Sequence, residues 1–106
     1  MIAVETSQKI SSALREKHLN QAIEDFSKAI SLNEEDLKLF QNRGIAYRDL
    51  GILLGTDGTA NYDKKSAIDA YNKRIEDFKK VLSLSPDRKD IETEIKKATI
   101  YRDNLK

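Results

Sequence analysis

Side chains able to do chemistry are few in this chain, and their spacing assigns them little of it. His18 is the only histidine and cysteine is absent. That combination argues against a nucleophile–base pair and against a transition-metal site. It also leaves no disulfide frame and no thiolate zinc site. Adjacent carboxylates occur at Glu24-Asp25 and again at Glu76-Asp77. Neighbouring residues on a helix point to different faces, so each pair reads as solvated surface rather than as an acid–base couple. The stretch GTDGTANYD, residues 55–63, offers Asp57, Asn61 and Asp63. Its glycine and its closing carboxylate are misplaced for a calcium loop, so it reads as a polar turn. GILLGTDGT lacks the Lys-Ser/Thr of a phosphate-binding loop. His18, beside Leu19, reads as a surface residue at a turn. The expectation is a protein that is not an enzyme, with no catalytic residue, cofactor or metal.

If the chain does no chemistry, its elements must present a surface. The 106 residues are 39% apolar and 35% charged, with one proline and four glycines. That is enough for one helical domain with a core. Basic and acidic residues nearly balance, 19 against 18, and no basic stripe argues for nucleic acid. The longest apolar run, Ile52-Leu53-Leu54, is far too short to cross a bilayer. MIAVETSQK lacks the basic and apolar regions of a signal peptide. A chain without cysteine fits a reducing compartment, and a cytoplasmic location is expected.

Apolar residues recur at helical spacing nearly throughout. Ile10 and Leu14 predict a first helix over about 6–17. Ala22, Ile23, Phe26, Ala29 and Ile30 predict a second over about 20–32, with Asn20 as N-cap. Asn33 breaks it. Phe40, Tyr47, Leu50 and Leu54 mark a third helix, for which Gly55 is a suitable residue just past the end. Ile68, Tyr71, Ile75, Phe78 and Leu82 mark a fourth, stopped by Pro86. Ile91, Ile95, Ala98 and Leu105 lie on one side of a fifth. No segment alternates apolar and polar residues, so the fold class is all-α.

One helix is written twice. IEDFSKAISL, residues 23–32, and IEDFKKVLSL, residues 75–84, agree at seven of ten positions. Ala22, Phe26 and Ala29 stand at the spacing A-x3-F-x2-A. Phe40, Gly44, Tyr47 and Gly51 follow in LFQNRGIAYRDLG. Together these resemble the tetratricopeptide repeat, a helix–turn–helix unit of about 34 residues. The second copy keeps Phe78 and Pro86 but has Arg74 and Val81 where the first has alanines. The resemblance implies antiparallel helix pairs stacked as a short α-solenoid in a single domain, 1–106. Repeat one spans about 6–36, repeat two about 37–88, and a capping helix about 89–105. Phe26 and Phe78, at matching positions, should both be buried.

The copies stand 52 residues apart, about eighteen more than the repeat length. The apolar spacing runs through the extra residues, which predicts two long helices over about 37–54 and 62–84, joined at GTDGTAN. Such a hairpin would carry Ile52, Leu53, Leu54, Tyr62 and Ile68 beyond the ordinary stack. The resemblance also implies work: binding a peptide or helix of another protein in the concave groove lined by the first helix of each pair. Lys38, Gln41, Asn42, Ile45 and Asp49 would line it from one helix, and Ser7, Gln8, Ser11 and Arg15 from the other. Asn42 matches an asparagine of the carboxylate clamp in heat-shock co-chaperones. Ser7, Ser11, Asp90 and Glu94 depart from that clamp's remaining positions. Partners expected are therefore another protein, with no nucleic acid and no membrane. The alternative is a homo-oligomer, dimerising through the long hairpin.

Overall fold

The computed structural model of the chain describes the backbone of residues 2–106 and the side chains of residues 10–106. Four helices follow one another: α1 (Ile2–Leu32), α2 (Leu37–Gly55), α3 (Lys64–Leu84) and α4 (Lys89–Leu105). No strand occurs among the described residues. Short links turn the chain back each time, so each helix packs on the next in an antiparallel stack, α1 on α2, α2 on α3 and α3 on α4.

The ends of the helices have local causes. Asn33 N–H closes α1 on the Ala29 carbonyl at 3.1 Å. The Asp36 carboxylate caps α2 by accepting from Lys38 N–H at 3.0 Å. Asp63 caps α3, accepting from Ser66 N–H at 3.1 Å and from its hydroxyl at 2.8 Å. Asp63 N–H in turn reaches back to the Leu54 carbonyl at 2.8 Å, pinning the hairpin turn. In that turn Gly58 takes φ +86°, where a side chain is strained. Gly55 instead is the last residue of α2. Both arms of the hairpin are helical almost as expected. Tyr62, expected to open α3, lies in the turn just before its cap.

The first two expected helices are one. α1 runs unbroken through His18 and Asn20, so the structure has four helices rather than five. Nothing between Lys17 and Gln21 breaks a helix, since neither glycine nor proline occurs there. Leu19 packs with Ile23 against α2, so the stripe facing the stack crosses the expected turn without a phase change. Asn20 is an exposed mid-helix residue rather than a cap, and His18 is exposed on the same rod.

Three apolar clusters hold the stack, one of them Tyr71, Ile75 and Ala98 between α3 and α4. Ile30, Phe40, Phe78, Val81 and Ile91 join all four helices at one end. Leu50, Leu54, Ala67 and Ala70 pack with Leu19 and Ile23 toward the hairpin turn. The approach of α2 to α3 depends on small residues. A Cβ on Gly44 would come within 2.5 Å of the Phe78 ring, and one on Gly51 within 2.9 Å of the Tyr71 ring.

Charge also enters the stack. The Arg43 guanidinium of α2 donates twice to Asp77 of α3, at 2.9 and 2.7 Å, and once to the Ser27 hydroxyl of α1 at 3.0 Å. Asp77 is 4% exposed. Its expected place on a solvated face is therefore corrected: α2 covers it. Burial pushes the Asp77 carboxyl above its ordinary value, and the two bonds from Arg43 oppose that.

Candidate functional site: the groove between α2 and α4

Both α2 and α4 rest on α3, which leaves an open groove of ≈ 690 Å³ between them. Arg48, Ile52 and Gly55 form the α2 wall. Glu94, Lys97 and Tyr101 form the α4 wall, and Tyr71 of α3 is the floor. Gly51 makes room for the Tyr71 ring, which is tilted against Tyr101 at 6.1 Å between centroids. Burial raises the Tyr71 pKa, so its hydroxyl stays protonated.

Beneath the groove lies Arg74, 3% exposed. It donates to the Gly44 carbonyl and to Glu94, each at 3.0 Å, and its guanidinium stacks 4.1 Å from the Phe78 ring centroid. Burial lowers its pKa, Arg48 adds to that, and Glu94 opposes both. Arg74 thus links α2, α3 and α4 from a position where the first copy of the motif has alanine. On the rim Arg48 pairs with Asp49 at 3.1 Å and Lys97 with Glu94 at 3.4 Å. The surface has an aromatic and aliphatic floor with both signs of charge around it. An apolar floor with a few polar groups around it is the common make-up of ligand sites in proteins.

The expected groove residues divide. Ile45 packs against the core cluster of Phe40 and Phe78 and is half-buried. Gln41 accepts a 3.3 Å bond from Arg88, which also holds Asp90. Lys38 and Asn42 are exposed on the same face of α2, and Asp49 is half-buried. Ser11 and Arg15 are exposed on α1 but lie elsewhere. Asn61 of the hairpin turn donates to the Ser12 carbonyl at 3.4 Å and to Glu16 at 2.6 Å. That places the stretch at the opposite end of α2 from Lys38 and Gln41. The side chains of Ser7 and Gln8 lie outside the described residues. Arg48 and Ile52 stand further along α2 and were not among the expected groove residues. Tyr71 and Tyr101 carried no comparable signal, because only the packing of α4 on α3 brings them together.

A second, smaller groove of ≈ 300 Å³ lies between α1 and α3, floored by Tyr47, Leu50 and Leu54. Lys73 lies 5.9 Å from the Tyr47 ring centroid there. Of the hairpin's apolar residues, Leu54 is buried, Leu53 and Ile68 are half-buried, and Ile52 and Tyr62 are exposed. Among the described residues no helix is long and apolar enough to cross a membrane.

Residues 11–36 match the family model described as tetratricopeptide repeat. Over those residues the chain is similar to a tetratricopeptide repeat. The matched stretch runs from within α1 to the cap of α2. No curated protein and no solved structure matches the chain. Tetratricopeptide repeats generally mediate protein–protein interaction and are typically non-catalytic, and their stacking makes extended binding surfaces.

Proposed function

We propose that this protein is a non-catalytic interaction module that holds a peptide or helix of a partner protein in the groove between α2 and α4. The carrying observation is the groove itself, where Ile52, Tyr71 and Tyr101 are apolar anchors inside a rim of Arg48, Lys97 and Glu94. Buried aromatic anchors surrounded by polar groups are where binding energy concentrates. Lys38, Asn42 and Asp49 extend the same face of α2 and would contact a ligand longer than the groove. A cytoplasmic, scaffold-type setting fits a chain without cysteine.

The test is selection from a displayed random-peptide library, followed by titration of a selected peptide. Tyr101→Ala and Ile52→Asp should each weaken binding at least tenfold, with the helical circular dichroism unchanged. Lys38→Ala and Asn42→Ala should weaken it less. Peptides that bind both groove variants as tightly as the unmodified chain would place the binding surface elsewhere.

A further inference from the structure

The tip of the hairpin brings together two groups that can react with each other. Asp57-Gly58 is the only place in the chain where aspartate or asparagine precedes glycine. Both residues are exposed. The turn they make is held loosely: Thr59 N–H reaches the Thr56 carbonyl at 3.4 Å, and the Thr59 hydroxyl donates to the same oxygen at 2.9 Å. Gly58, third in that turn, takes φ +86°, as the third residue of a type II turn does. A Cβ on Gly58 would meet nothing within 4 Å, so the space beside its amide is open. Its N–H donates to no group among the described residues.

The other aspartates stand differently. Most lie inside helices, where the next N–H is held in the helical ladder. Asp36 and Asp63 are caps whose carboxylates already accept from backbone N–H groups. The N–H that follows Asp87 donates to the Ser85 carbonyl at 3.3 Å. Only at Asp57 does the fold leave the following amide unbonded, solvated and free of a side chain, on the residue type with the widest backbone freedom.

We propose that Asp57-Gly58 is a self-modification site, where the main chain passes from aspartyl to isoaspartyl through a cyclic imide. The Gly58 nitrogen attacks the carboxyl carbon of the Asp57 side chain. A carbon–nitrogen bond forms, and one carboxyl oxygen leaves as water with the amide proton and the carboxyl proton. Water then opens the ring. Breaking the nitrogen's bond to the side-chain carbonyl restores aspartate. Breaking its bond to the main-chain carbonyl reroutes the chain through the side chain, one methylene longer, and frees the former main-chain carbonyl as a carboxylate. Water is the only co-reactant, and the mass of the product equals that of the starting chain. The change falls between Leu54 and Asp63, whose 2.8 Å bond closes the base of the turn, so it alters the tip and not the helices. It does not use the anchors of the α2–α4 groove and is independent of peptide binding there.

The whole folded chain, kept for weeks at neutral pH and body temperature, tests it. Methyl groups transferred from S-adenosylmethionine by an isoaspartyl methyltransferase should increase with time. The tryptic peptide 49–64 should split into two chromatographic peaks of equal mass, and electron-transfer fragmentation should place the isoaspartyl residue at 57. Asp57→Glu keeps the charge but closes the imide ring far less readily, and it should remove the signal. Gly58→Ala should reduce it at least tenfold. The free peptide 49–64 should convert about as fast as the same residues in the folded chain, because the turn gives them no protection. Methyl acceptance that never rises above that of fresh protein would overturn the proposal. So would acceptance unchanged by Asp57→Glu, or an Asp57 that stays intact in the folded chain while the free peptide converts.

Discussion

Residues 23–32 of α1 and 75–84 of α3 share most of their sequence, yet they do different work. Phe78 is 2% exposed in a cluster drawn from all four helices, while Phe26 is half-buried at the edge of the stack. Asp77 is buried under Arg43, while Asp25 is exposed and accepts a 3.0 Å bond from Gln21 one turn away on its own helix. The copy that departs further from the repeat pattern, with Arg74 and Val81 for two alanines, is the better covered. α3 has neighbours on two sides and α1 on one. Burial here follows from the position of a helix in the stack more than from its sequence.

The comparison can be broken most directly at the two phenylalanines. Phe78→Ala should cost about 3–5 kcal/mol, as truncations of fully buried aromatics do. Phe26→Ala should cost about 1–2 kcal/mol in dilute, monomeric protein, because less area returns to water. Urea denaturation of both variants measures this. Equal losses would mean that the copies are equally covered, against the observed packing.

The next effect lies in the carboxylates. Arg43→Ala leaves Asp77 buried without its donors and should cost about 2–4 kcal/mol, while Gln21→Ala beside exposed Asp25 should change little. The loss should also depend on pH. Burial already raises the folded-state pKa of Asp77, and removing Arg43 raises it further. The folded variant then takes up its proton before the unfolded chain does. The penalty should therefore be full near neutrality and should shrink as pH falls through the folded value. Urea melts at about pH 7 and about pH 4.5 compare the two conditions. A penalty that grows on acidification would contradict the burial of Asp77.

Glycines sharpen the comparison further. Gly44→Ala pushes a Cβ into the Phe78 ring and should cost about 1–3 kcal/mol. At Gly55 a Cβ would meet Ala67 at 3.3 Å and Leu105 at 3.4 Å, so Gly55→Ala should stay within about 1 kcal/mol of the unmodified chain. Thermal melts that rank Gly55→Ala as the more damaging would reverse the assigned closeness of α2 and α3. The smallest expected effect is a matter of sign. Asn20→Ala should stabilise by about 0.5 kcal/mol if Asn20 lies inside a continuous α1, and should cost about 1 kcal/mol if it caps a separate helix.

Much of the fold was legible before any coordinates. Asn33 breaks α1, and the polar stretch after Leu54 turns the hairpin. Pro86 stops a helix by its ring, and the stripe through Phe40, Leu50 and Leu54 says which side of α2 is inward. These are local properties, set within one or two turns of chain, and the structure repeats them closely. The candidate groove was not legible in the same way: Arg48, Ile52 and Gly55, which line it on α2, were not among the expected residues, and Tyr71 and Tyr101 meet only through docking of separate helices.

The sequence by itself determined the helices of the hairpin, its turn, the all-α class and the duplicated motif, since periodicity, caps and turn chemistry act over a few residues. Tertiary structure decided whether residues 2–32 form one helix or two, which phenylalanine and which aspartate are buried, and that an arginine sits in the core. An apolar stripe states which face of a helix avoids water. What covers that face depends on neighbours distant in sequence, and here Gly44 lets α2 come close to Phe78 whereas Phe26 lies at the edge of the stack.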